Sequence, residues 1–186
     1  MIEHEDSLNE NDISEEILRE DIAQAVGKKL GTTNFVILNY TLEPITQRLG
    51  LLGDHSILYT SLLNPDGEEK QLSFFVKYFP KLEAPAKFAE GIGAFKREMF
   101  IYELFEVFTK SGINMISTVT PRCYVAQYNK YLILDNLISE GFDTFDKHKT
   151  LDYNCVLIVL QSLARLHASS IIYEEKNLLS WVNITD

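Results

Sequence analysis

Three groups of residues stand in an order suited to handling phosphate: Gly50-Leu51-Leu52-Gly53, then Lys77, then Glu98. A flexible glycine turn lets backbone N–H groups approach phosphate oxygens, and a strand lysine held by a helix carboxylate can reach the α and β phosphates of a nucleotide. Each group alone is commonplace, because a Gly-x-x-Gly turn between strands is usually only a tight turn and a strand lysine usually points to solvent. Lys77 is set apart by its surroundings, Phe74-Phe75-Val76-Lys77-Tyr78-Phe79, where a charged side chain has apolar neighbours on both sides and needs a partner. Glu98 is the natural candidate.

The other chemically capable residues have plainer readings. His167, beside Leu163 and Leu166 on an apolar segment, reads as a satisfied structural histidine, His148 as surface, and His55 as a neighbour of bound phosphate or a solvent-facing residue after the glycine turn. Cys123 and Cys155 lack metal-ligand spacing and are too few for a disulfide framework, so both read as buried free thiols. Phe95, Met99, Tyr102 and Phe105 read as core packing under a sheet.

The elements that must position these residues follow from hydrophobic period and turn chemistry. Residues 13–30 carry apolar side chains at helical spacing ahead of Gly31, which predicts an amphipathic helix. Residues 35–45, 56–63 and 72–79 read as strands, the last two joined by the hairpin signal Asn64-Pro65-Asp66-Gly67. Beyond Pro80 and Pro85, residues 86–108 hold the helical period and predict one long helix, weakened in its first half by Gly91 and Gly93. Residues 122–127 and 131–137 form a second hairpin around Tyr128-Asn129-Lys130, and Tyr131-Leu132-Ile133-Leu134 is apolar enough for a central strand. After a turn at Gly141, residues 151–172 read as a long helix whose apolar side chains wrap more than one face. The order is that of an α+β fold with a five-stranded antiparallel sheet. An unfilled apolar helix would leave the chain prone to self-association.

Hydrophobic residues make up 46% of the 186 and charged residues 24%, a globular composition that excludes global disorder. The net charge of -10 is concentrated at one end: residues 3–21 hold nine acids and one base, and the rest of the chain is nearly balanced. An acidic start with no basic stripe elsewhere disfavours nucleic acid and membrane surfaces as partners. The polar, acidic start also lacks the basic and apolar pattern of a secretory leader, which makes the cytosol the expected compartment. The apolar stretch 156–166 is interrupted by Gln161, Ser162 and Arg165, so no membrane span is expected. The triplets at Asn39 and Asn183 then match the glycosylation pattern by chance.

Seven longer strings together resemble the ecdysteroid kinase-like family, small-molecule kinases related to choline and aminoglycoside kinases. They are Leu49-Gly50-Leu51-Leu52-Gly53-Asp54-His55, Phe74-Phe75-Val76-Lys77, Phe95-Lys96-Arg97-Glu98-Met99 followed by Tyr102, Pro121-Arg122-Cys123-Tyr124, Leu132-Ile133-Leu134-Asp135-Asn136-Leu137, Gly141-Phe142 and Leu163-Ala164-Arg165-Leu166-His167-Ala168-Ser169. The resemblance runs from about residue 35 to residue 170. It implies a protein-kinase-like fold with ATP and Mg²⁺ as cofactors, acting on a hydroxyl of an ecdysteroid or other apolar alcohol. The corresponding division is an acidic segment with an amphipathic helix (1–30), an N-lobe (31–134), and a hinge with the first helix of a helical C-lobe (135–186). Position by position, the resemblance puts Gly50, Gly53 and Asp54 in the loop over the nucleotide, Lys77 on the phosphates and Glu98 on Lys77. Leu134, Asp135, Asn136 and Leu137 would be the hinge whose backbone meets adenine, with Asp135-Asn136 where the family usually shows Glu-Asp.

Family members continue past the Leu-Ala-Arg-x-His-Ala helix to a His-Gly-Asp catalytic loop, a downstream Asn and a metal-binding Asp, and none of these occurs here in the matching positions. No catalytic or metal-binding residue is therefore assigned. The expectation is the amino-terminal part of a kinase that does not turn over substrate by itself. The alternative is a non-catalytic module that keeps the lobe to bind nucleotide or a partner.

Overall fold

The computed structural model describes residues 17–46, 53–115, 119–146 and 148–177. Gly50 and the residues before 17 that were assigned to the first helix lie outside them.

Helix α1 (Arg19–Leu30) follows the buried Ile17 and stops at Gly31, whose left-handed φ of 71° lets its N–H close on the Gly27 carbonyl at 2.8 Å. Glu20 and Asp21 in its first turn and Lys28 and Lys29 in its last complement the helix dipole. Strands β1 (Val36–Pro44), β2 (His55–Leu63) and β3 (Glu69–Tyr78) form an antiparallel meander. The turn between β2 and β3 is held by Asn64, whose Oδ1 accepts the N–H groups of Asp66 and Glu68, with Gly67 at φ 79°. Strands β4 (Cys123–Gln127) and β5 (Tyr131–Asp135) form the second hairpin, with Asn129 left-handed at φ 52°. Sheet order is β1-β2-β3-β5-β4, so β5 is inserted beside β3 and is buried from Tyr131 to Leu134, as its apolar composition predicts.

Alternation along β3 divides the two faces of this sheet. Phe74, Val76 and Tyr78 join Leu58, Leu62, Tyr131 and Ile133 in a core capped by Ile22, Ala25 and Val26 of α1. Phe75 and Phe79 face the other way, toward Leu132, Leu134 and Phe95. Lys77 shares that second face.

The segment expected as one helix over 86–108 is two: α2 (Glu83–Gly91) and α3 (Ala94–Lys110). Gly93 takes a left-handed φ of 62° between them, a conformation that ends one helix and re-aims the next. The first of the two helices begins ahead of Pro85, not beyond it: the proline sits in the first turn of α2, where its missing N–H has no intrahelical acceptor to lose. Helix α4 (Tyr153–Asn177) touches α3 through Leu166 and Tyr173, which pack on Phe108 and Ile113. Most of its apolar side chains are exposed, Ile158 at 61% and Leu160 at 56%. His167 is correspondingly exposed rather than packed. Read whole, α4 also corrects the expectation about spans: an 18-residue window averages a mean hydropathy of 1.6, long and apolar enough to cross a membrane by length and composition. The interruptions at Gln161, Ser162 and Arg165 are diluted over a helix of 25 residues.

Candidate nucleotide site

Lys77 and Glu98 meet. The Lys77 Nζ donates to Glu98 Oε2 at 2.6 Å, with both side chains about one quarter exposed. Phe95 and Glu98, three residues apart on α3, present the same helix face, and Lys77 Nζ also lies 5.9 Å from the Phe95 ring centroid. The lysine is therefore fixed by a carboxylate and an aromatic face from one helix, at the edge of the core formed by Phe75, Phe79, Leu132 and Leu134. Core packing was the expected role of Phe95, and its position one turn before Glu98 was the available signal for this second contact.

Gly53 and Asp54 lie against the strand that carries Lys77. The Asp54 carbonyl accepts the Tyr78 N–H at 2.9 Å. Gly53 has φ 98°, and a Cβ placed on it would strike the Tyr78 carbonyl and stand 3.9 Å from the Lys77 Cγ. Only glycine satisfies both the backbone conformation and this approach.

His55 opens β2 and pairs across the ladder with Lys77, while its ring lies 5.2 Å from that of Phe75. Burial, then the Lys77 cation, lower its pKa from 6.5, against the opposing pull of Asp54 and Glu98. His55 is thus half-buried within the site, not a solvent-facing turn residue.

The hinge residues divide by face. Leu134 is buried opposite Phe75, on the Lys77 side. Asp135 turns its carboxylate to the α1 side, where Oδ1 takes Lys29 Nζ at 2.9 Å and Tyr124 Oη at 2.6 Å and Oδ2 takes the Arg122 N–H at 3.0 Å. Burial raises the Asp135 pKa, but these hydrogen bonds outweigh it and hold the carboxyl below its ordinary range. Asn136 is buried and donates to Ser73 Oγ at 3.0 Å, tying the hinge to β3. The Leu137 carbonyl accepts the N–H groups of Glu140 and Phe142 and shapes the turn at Gly141. The structure thus gathers Gly53, Asp54, Lys77, Glu98 and Leu134 around one face, and gives the Asp135 and Asn136 side chains structural partners.

Two cavities lie along α3. One of about 500 Å³ is bounded by α1, α3 and β4, and the other, of about 340 Å³, reaches Arg97 and Glu98. Cys123, half-buried at the first, has its thiol pushed up to about 12 by burial. Cys155 is likewise free and half-buried. Among the described residues no group of three or more His, Cys, Asp or Glu side chains could hold a metal ion.

A five-stranded antiparallel sheet, with a strand lysine clasped by a helix carboxylate and a central strand leading out through a hinge to a long helix, has the layout of the amino-terminal lobe of a kinase-like fold. The chain belongs to the ecdysteroid kinase-like family, whose model matches residues 55–183, more than two thirds of the sequence and through the whole of α4. None of the curated proteins and none of the solved structures matches it.

Proposed function

We propose that this chain is the nucleotide-binding lobe of an ATP-dependent small-molecule kinase, and that residues 1–186 alone bind nucleotide without transferring phosphate. The observation that carries this reading is the 2.6 Å Lys77–Glu98 pair. In the bound state the Lys77 amine, held extended by Glu98 and the Phe95 face, contacts the α and β phosphates. Gly53 and Asp54 bring backbone N–H groups over the same phosphates, and the missing Cβ at Gly53 keeps that approach open. Leu134 lines the adenine side, while the backbone of Asp135, Asn136 and Leu137 meets the base edge. Because Asp135 and Asn136 spend their side chains on Lys29, Tyr124 and Ser73, the departure from Glu-Asp leaves backbone recognition intact.

In a kinase, Mg²⁺ neutralises charge on the phosphoryl oxygens, and a carboxylate orients the attacking hydroxyl. Among the described residues no group of three or more His, Cys, Asp or Glu side chains stands together, and no residue is assigned to Mg²⁺. The residues gathered here are ground-state binding groups, and the family's catalytic loop has no counterpart at the matching positions, so we expect affinity without turnover. The acceptor proposed for the complete catalytic unit is a hydroxyl of an ecdysteroid or other apolar alcohol. The test is radiolabelled phosphate transfer from ATP with Mg²⁺ across a panel of steroid and xenobiotic alcohols. Residues 1–186 should give none, and a chain extended with a family catalytic loop should label an acceptor. Acceptor-dependent labelling by the 186-residue chain, abolished by Lys77→Met, would contradict the reading.

A further inference from the structure

The 500 Å³ cavity beside the later turns of α3, beyond the Lys77–Glu98 pair along the same helix, lies within the range of roughly 300–1,000 Å³ typical of small-ligand sites. Tyr102 and Phe105 of α3 give it an aromatic wall. Three cations line it, Lys28 from the end of α1, Lys110 from the end of α3 and Arg122 ahead of β4. Its two acids are already engaged: Glu106 pairs with Lys110 at 3.0 Å, and Asp135 is taken by Lys29, Tyr124 and the Arg122 backbone. Lys28 and Arg122 have no ion-pair partner among the described residues, and the Arg122 guanidinium lies 5.3 Å over the Tyr124 ring. The fields of both reach the cavity, since after Lys110 they help hold the Glu106 carboxyl below its ordinary range. In a chain of net charge -10, an aromatic cavity with two unmatched cations selects for an anion.

We propose that this cavity binds an apolar small molecule bearing one phosphate or sulfate group, its body against Tyr102 and Phe105 and its anion between Lys28 and Arg122. Arg and Lys donors to such an oxyanion make charge-assisted hydrogen bonds, the stronger kind. Neither Lys77 nor Glu98 lines the cavity, and the proposal does not depend on the nucleotide reading.

Calorimetric titration of the 186-residue chain with 1-naphthyl phosphate tests it, beside 1-naphthol and inorganic phosphate. One saturable site is expected for 1-naphthyl phosphate, with 1-naphthol and inorganic phosphate each weaker by about tenfold or more. The double change Lys28→Gln with Arg122→Gln should weaken 1-naphthyl phosphate by about tenfold or more, while Lys77→Met leaves it unchanged. Thr109→Trp, at an exposed cavity-lining position of α3, should block the site and serves as an independent probe if the double variant does not fold. Absence of saturation, equal affinity for 1-naphthol, indifference to both the double change and Thr109→Trp, or loss on Lys77→Met would each overturn the proposal.

Discussion

His55 couples the candidate site to pH. Its neutral form is favoured in the folded chain by burial and by the cation of Lys77, so its folded pKa lies below the unfolded 6.5. In the window from 6.5 down to that lowered value, the unfolded state binds more protons, and folding stability falls as pH falls. Asp135 loses its contribution only further down, as pH drops below 3.8 toward its own lowered pKa. The melting temperature should therefore fall between pH 7.5 and 5.5 in the native chain and fall less in His55→Asn. An identical slope in both would place the acid sensitivity elsewhere. The Lys77–Glu98 contact was legible in the sequence because strand and helix periods put one residue of each type on facing surfaces, whereas the role of Asp135 was not. Its partner Lys29 is 106 residues away, and no local pattern links them.

At the scale of elements, that clasp makes α1 part of what supports the hinge. Lys29 Nζ bonds Asp135 and lies 5.3 Å from the Phe74 ring and 5.4 Å from the Tyr124 ring. At the other end of α1, Asp21 accepts from Gln127 Nε2 and Tyr131 Oη. Asp135→Ala removes the acceptor for a lysine, a tyrosine and a backbone N–H. Hydrogen bonds to charged groups contribute about 1.5–3 kcal/mol each, and the partners of a one-fifth-exposed group recover part of that from water. A loss of about 2 kcal/mol in denaturant unfolding is expected. A loss below about 0.5 kcal/mol, the range of ordinary surface changes, would show that the clasp does not hold α1. The hairpins were legible because Asn64, Gly67 and Asn129 are local turn chemistry. The break between α2 and α3 was not, since a glycine within a helical period reads as a weak point until its φ is known.

For the whole molecule, α4 is the exposed surface that matters. Val156, Leu157, Ile158, Val159, Leu160 and Leu163 are all exposed along one stretch, and apolar area left in water costs roughly 25 cal/mol per Å². The expected outcome is concentration-dependent association, seen as a rising weighted mass in sedimentation, that Leu160→Ser with Leu163→Ser reduces. A monomer at all concentrations, or association unchanged by those substitutions, would mean this face does not drive contact. Wrapped apolar residues made the exposure legible in the sequence, but the charge-lined cavity was not, because Lys28 of α1 joins residues of α3 and β4 that lie far from it in sequence.

Most directly, the central claim is tested by titrating ATP into the 186-residue chain and its Lys77→Met variant while following thermal unfolding of both. The Lys77–Glu98 pair is partly exposed, and such pairs contribute about 0–1 kcal/mol to stability, so unfolding should barely change. Saturable ATP binding by the native chain, lost or weakened by about tenfold or more in Lys77→Met, is the predicted result. ATP binding of equal strength in both proteins, or none in the native chain, would contradict the assignment of Lys77 to phosphate.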